Sequence, residues 1–191
     1  STRVRSSAAS DVYKRQAQYY WSQNRKIALT PDSSHLVLNI EADLIRTPML
    51  SSDYKGFNEI SPNIIVKENK SNIFSENDFK AYESDPLVKR ASPAYLVNGT
   101  DTLYVTNHIL LKPKNGVSID SILAGMNEIV EVVDQTKYGV YTLSVNQGFD
   151  VLTYANIIYE NGLVDFCHPD FIMRITQFLN DPLYSLSLIH I

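Results

Sequence analysis

Hydrophobic and polar positions alternate along much of this chain, which divides it into short strands separated by a few helical stretches. Tyr19-Tyr20-Trp21 and Lys26-Ile27-Ala28-Leu29 flank the polar run Ser22-Gln23-Asn24-Arg25, a hairpin signature. Thr30-Pro31-Asp32 is expected to turn the chain. From His35 to Ala42, Leu36, Leu38 and Ile40 alternate with Val37, Asn39 and Glu41, a strand with one wholly apolar face. Thr47 to Phe57 has no clear period: Thr47-Pro48 can open a helix, but Gly56 and the Ser51-Ser52 pair weaken it. Asn63 to Glu68 reads as a strand. Ser75 is placed to cap a short helix running to Tyr82, with Asp78 as its capping-box partner and Phe79 and Tyr82 as its apolar face. Leu87 to Val97 returns as a strand in which Pro93 marks an edge or a bulge. Asn98-Gly99 then turns it into a hairpin.

The second half has a firmer pattern. Leu103 to Lys112 is a strand. Ser118 caps a helix to about Asn127, with Ile119, Ile122, Leu123 and Met126 on one face. Ile129 to Val133 and Val140 to Val145 are strands. Phe149 to Glu160 is a helix with Val151, Leu152, Ala155, Ile158 and Tyr159 as its stripe, and Asn161-Gly162 ends it in left-handed geometry. Leu163 to Ile172 is the last strand. The order predicts an α+β fold over residues 103–175: a ferredoxin-like βαββαβ plait, an antiparallel sheet with two helices on one face. Residues 17–98 then form a β-rich extension. Leu87 to Leu96 lines up with Leu163 to Ile172, sharing Leu, Val and Pro. The first half is therefore either a degenerate second copy of the plait or a chance alignment of two strand-helix-strand segments.

Composition narrows the partners. The chain has 191 residues, a net charge of -4, and is 44% hydrophobic and 20% charged, ordinary values for a globular protein. Without a basic excess, nucleic acid is not an expected partner. The single cysteine, Cys167, excludes an internal disulfide framework and a cysteine zinc cluster. No apolar run approaches the roughly 20 residues that span a bilayer, and the N-terminal stretch lacks the apolar core of a signal peptide. Ser6 to Gln16 and Ser187 to Ile191 look like translated sequencing-adaptor sequence. Residues 1–16 and 185–191 are accordingly set aside from the fold.

Little in the chain looks catalytic. His35, His108, His168 and His190 form no HxH or HExxH spacing, so neither a metal nor another cofactor is expected. Cys167 adjoins His168 as a nucleophile and base would, but neighbours on a strand face opposite ways, and Cys167 reads as a small buried hydrophobe. Asp165 and Asp170 are expected on opposite faces. No nucleophile elbow, P-loop or dinucleotide fingerprint is present.

Thr106 to Ser118 (TNHILLKPKNGVS) resembles the opening strand and helix start of the pro-domain of subtilisin-like serine proteases. Tyr138 to Ser144 (YGVYTLS) resembles its third strand and Gly162 to Phe171 (GLVDFCHPDF) its closing strand. Asn180 to Tyr184 (NDPLY) is similar to the run that introduces the mature protease. Tyr19-Tyr20-Trp21, Lys26-Ile27 and Leu29-Thr30 look like the start of the pro-region in large subtilases of Bacteroidetes-type bacteria. The chain departs from the pattern at His168, where Glu is usual, and after Tyr184, where Ser-Leu-Ser-Leu replaces Gln-Trp. The protease's own Asp-Thr-Gly, His-Gly-Thr and Gly-Thr-Ser-Met segments are absent, so this chain is not expected to be an enzyme.

The resemblance implies a folding chaperone and active-site-blocking inhibitor of a downstream subtilisin-like catalytic domain, acting in cis within an exported parent protein. It implies that the sheet face opposite the helices packs on the protease. The tail Met173, Arg174, Ile175, Thr176, Gln177, Phe178, Leu179 and Asn180 would lie in the protease cleft as an added strand, anchored by Phe171 and Ile172. Residues 176–184 would link to the protease. Two alternatives remain open: a small-molecule-binding plait of the ACT type, and a plain interaction module of a secreted protein. A binding plait should carry a Gly-rich loop after its first strand, where Gly116 stands alone.

Overall fold

The computed structural model describes residues 19–40 and 54–173. The N-terminal hairpin forms as the pattern predicts: β1 (Tyr19–Ser22) pairs antiparallel with β2 (Arg25–Ala28). Its two-residue loop, Gln23-Asn24, has φ of 47° and 62°. These left-handed values give the loop the twist a tight hairpin needs, at a steric cost that glycine would avoid.

β3 (Thr30–Ile40) starts where a turn was expected. Thr30, Pro31 and Asp32 pair with Leu96, Tyr95 and Ala94 of β6 (Val88–Val97). The ladder on β3's other edge runs only from His35 to Asn39, so Pro31, which has no N–H to donate, sits where β3 has a single neighbour. The turn chemistry of Asp32 survives as a local feature. Its carboxylate accepts from the Ser34 N–H at 3.1 Å and the Ser34 hydroxyl at 2.6 Å, at the register shift between Asp32 and Leu36.

β4 (Asn58–Ser61), β5 (Ile64–Glu68), α1 (Glu76–Glu83) and β6 complete the first half, in the strand order β4-β5-β3-β6. The capping box is present. Asp78 N–H donates to the Ser75 hydroxyl at 3.4 Å, and Ser75 N–H donates to the Asp78 carboxylate at 2.7 Å. Those Ser75 donors hold the Asp78 carboxyl below its usual range. Phe79 of α1 packs on Leu36, Leu38, Ile65, Val88 and Ala91.

In the second half, β7 (Asp101–Pro113) is the central strand. β10 (Val164–Met173) pairs with it from Pro113 to Leu103. β6 pairs with it at Asp101–Leu103, and β9 (Tyr141–Val145) at His108–Leu111. β8 (Val130–Gln135) pairs with β9. The result is one eight-stranded, antiparallel α+β sheet rather than an isolated four-stranded one. α2 (Ile119–Ile122) is a single turn, shorter than the helix expected to Asn127. Leu123 caps it, and Gly125, at φ 79°, turns the chain away from helical geometry, while Ile122 and Leu123 still reach the core. α3 (Val151–Glu160) is capped by Asp150, whose carboxylate accepts from Thr153 N–H at 2.8 Å. Gly162, at φ 77°, terminates it as expected.

The two halves repeat one connectivity. In both, the second strand lies outermost, followed by the third, the first and the fourth: β4-β5-β3-β6 and β8-β9-β7-β10. They also share an irregularity. Pro93 faces Leu36 and the next residue faces Asp32; Pro169 faces Ile109 and the next matched residue, Phe171, faces Val105. Each fourth strand thus carries a proline where its first strand bulges.

α2 and α3 cover one face of the second-half strands. Leu103, Val105, Ile109, Leu111, Leu143, Val145 and Cys167 are buried there with Leu152, Ala155 and Ile158. Burial of each Leu or Ile stabilises by roughly 1.5–3 kcal/mol. On the opposite face, Tyr104 and Ile172 pack under Val37, Ile64 and Val66 of the first half. Among the described residues, no helix is long and apolar enough to cross a membrane.

Candidate functional site

Past Tyr104 and Thr106, the face of the sheet opposite α2 and α3 is not buried. His108 lies opposite Ser144, Leu110 opposite both Thr142 and His168, and Lys112 opposite Phe166. Directly opposed residues share a face, so these seven side chains form one surface, each half-exposed. The Phe166 ring stacks on His168 with centroids 5.5 Å apart and planes 22° apart. His168 Nδ1 donates to the Pro169 carbonyl at 2.9 Å, which fixes its tautomer. Partial burial lowers the pKa of His108, against an opposing pull from Asp170. The shift favours the neutral form of His108, with the Asp170 carboxyl close by. Lys112 is the cation among these seven. The surface thus combines one aromatic ring, one aliphatic side chain, two hydroxyls, two imidazoles and one cation.

The residues expected in the inhibitory tail fall into two groups. Phe171, Ile172 and Met173 belong to β10, opposite Val105, Tyr104 and Leu103. Phe171 packs against Tyr20 with ring centroids 4.8 Å apart, Ile172 joins the cluster around Val37 and Tyr104, and Met173 is 52% exposed. Arg174, Ile175, Thr176, Gln177, Phe178, Leu179 and Asn180 lie outside the described residues. Cys167 and His168 stand back to back across the strand, with Cys167 only 1% exposed and its thiol pKa pushed up by burial. Among the described residues, no group of three or more His, Cys, Asp or Glu is arranged to hold a metal.

Two arrangements were invisible in the sequence. The first is the seat of the N-terminal hairpin. Trp21 stacks on Tyr159 with centroids 5.0 Å apart. Trp21 Nε1 and the Tyr19 hydroxyl both donate to Glu160 Oε1, at 3.0 and 3.1 Å, and hold that carboxyl below its usual range. Asn156 donates to the Tyr19 carbonyl at 2.9 Å. With Tyr20 on Phe171, the hairpin braces both α3 and the end of β10. Its one sequence signal is three consecutive aromatics, more apolar surface than a free hairpin would expose.

The second is the joint between halves. Arg90 Nη2 meets Asp150 Oδ1 at 3.3 Å, with side chains only 8% and 12% exposed. Gln147 donates to the Glu83 carbonyl at 2.7 Å and to the Val88 carbonyl at 3.3 Å. Asn39 donates to the Val105 carbonyl at 3.1 Å. Comparison of the chain with protein-family models, with curated proteins and with solved structures gave no match.

Proposed function

We propose that the chain is built from two ferredoxin-like βαββαβ plaits in tandem, the first degenerate, and that it serves as the pro-region of a subtilisin-like serine endopeptidase. In this reading the second plait templates folding of a catalytic domain by docking on its uncovered sheet face. The segment after β10 then runs into the protease cleft and blocks it. The observation that carries the docking half of the proposal is the half-exposed surface around Leu110, Phe166 and His168, on a sheet whose other face is buried under α2 and α3. β10 also supports the tail, because β7 is its single strand partner among the described residues, which leaves its other edge open to an added strand. The repeated strand order and the shared proline bulge support the tandem reading.

The test is refolding in trans. A denatured subtilisin-like catalytic domain is diluted into buffer with and without the chain, and the recovered activity is measured after the chain is digested away. The reading expects recovery to rise with chain concentration and saturate near one equivalent. Recovery that is unchanged by the chain for every such domain tried would count against it.

A further inference from the structure

β8 closes one end of the sheet, with β9 as its single strand partner among the described residues. Its outer edge is therefore open to another strand. Every residue of β8 after Val130 is exposed, and two of them are valines, Val132 at 40% and Val133 at 50%. Directly opposed residues share a face, so the β8–β9 register sorts the side chains into two rows. Val132 lies opposite the buried Leu143, on the helix side of the sheet. A groove of about 390 Å³ runs beside the strand there, lined in part by Leu123, Ala124, Val130 and Val132. Glu131 lies opposite Ser144 and Asp134 opposite Thr142, on the other face. Val133 is the extra residue at the register shift between Val132 and Asp134. Among the described residues, neither the Glu131 nor the Asp134 carboxylate has a hydrogen-bond or ion-pair partner.

We propose that the open edge of β8 takes up an extended peptide as an added strand, one in which lysine or arginine alternates with apolar residues. Charge selects that occupant. β8 carries two acidic residues and no basic one. A second copy of the chain, added antiparallel with Val132 on Val133, would set Glu131 against Asp134, and like charges directly opposed are destabilising. Charges on an exposed edge refuse such self-pairing and leave the edge to a partner of opposite sign. Successive side chains of an added strand alternate between faces. Its cations then reach Glu131 and Asp134, while the apolar residues between them reach Val132 and the groove. Main-chain hydrogen bonds along the edge supply the rest of the affinity. β7 and β9 separate this edge from β10, and the proposal does not depend on the pro-region reading.

The test is titration of the isotope-labelled full chain with a short capped peptide of alternating lysine and valine, followed by amide NMR. Saturable shifts centred on Glu131, Val132, Val133 and Asp134 are expected, and a glutamate-valine peptide of the same length should give none. A lysine-serine peptide leaves the groove unfilled and should bind about tenfold more weakly or worse. A variant carrying both Glu131→Lys and Asp134→Lys should reverse the preference, releasing the lysine-valine peptide and taking up the glutamate-valine one. Both positions are exposed, so the amide spectrum elsewhere should stay that of the parent. The proposal is wrong if the lysine-valine peptide gives no saturable shifts, if the shifts centre away from β8, or if the charge-reversed variant keeps the parent's preference. It is also wrong if the β8 amides of the chain alone move with its own concentration, which would give the edge to a second copy.

Discussion

Among the described residues, Tyr95 is the bulkiest of the fully buried side chains, and it sits with Arg90 and Asp150 at the joint between halves. Burial pushes its phenol up to about 12 from the ordinary 10.0, although Arg90 pulls the other way. An acid whose folded pKa is raised lends stability that is whole below its unfolded pKa and is lost as pH climbs through the folded one. The urea midpoint should therefore fall between about pH 10 and pH 12, and Tyr95→Phe should flatten that fall. Asp150 does two jobs, pairing with Arg90 and capping α3. Asp150→Ala strands a buried cation and uncaps the helix, and should cost about 3–5 kcal/mol by urea unfolding. Residue-level legibility was uneven. Cys167 was readable as a buried hydrophobe because strand alternation settles which neighbour faces in. Arg90 was not, since only tertiary packing brings it to an anion sixty positions away.

Elements with strong local chemistry were the ones the sequence revealed. Ser75 with Asp78, Asn98-Gly99 and Asn161-Gly162 each specify a cap or turn through their own backbone geometry, and each appears where expected. β4 was missed because Asn58–Ser61 has neither alternation nor a run of β-branched residues, and gains its identity from pairing with β5. α2 was overextended because its apolar spacing persists beyond Gly125, where the backbone has already left the helix. The β1–β2 loop carries a prediction at this scale. Gln23 holds φ of 47° without glycine's freedom. Gln23→Gly relieves that cost while adding some unfolded-state entropy, and should raise stability by roughly 0.5 kcal/mol in thermal unfolding. Its partner Asn24 should be left alone, because the Tyr159 hydroxyl donates to its side chain.

At the scale of the molecule, the first half acts as a partial cover. Val37, Ile64 and Val66 close the sheet over Tyr104 and Ile172 and stop short of His108, Leu110 and Lys112. Continuity of the eight strands could not be read from the chain, because it depends on β7 accepting β6 and β9 in succession along one edge. The succession of strands and helices in the second half was readable from its hydrophobic period, while their pairing into the larger sheet was not. The same geometry predicts a pH response. His108 is half-buried and depressed, so protonation favours the unfolded chain. Stability should decline as pH drops below about 6.5, and His108→Gln should reduce that decline in acid unfolding.

The docking claim is tested most directly by inhibition. The purified chain is assayed against subtilisin-like catalytic domains beside Leu110→Lys and Phe166→Glu, two changes on the uncovered face, with thermal melting measured for each. The account predicts that the parent chain inhibits competitively, and that either substitution weakens inhibition by about tenfold or more without lowering the melting temperature. Failure of the parent chain to inhibit any such domain, or full inhibition retained by both variants, would contradict it.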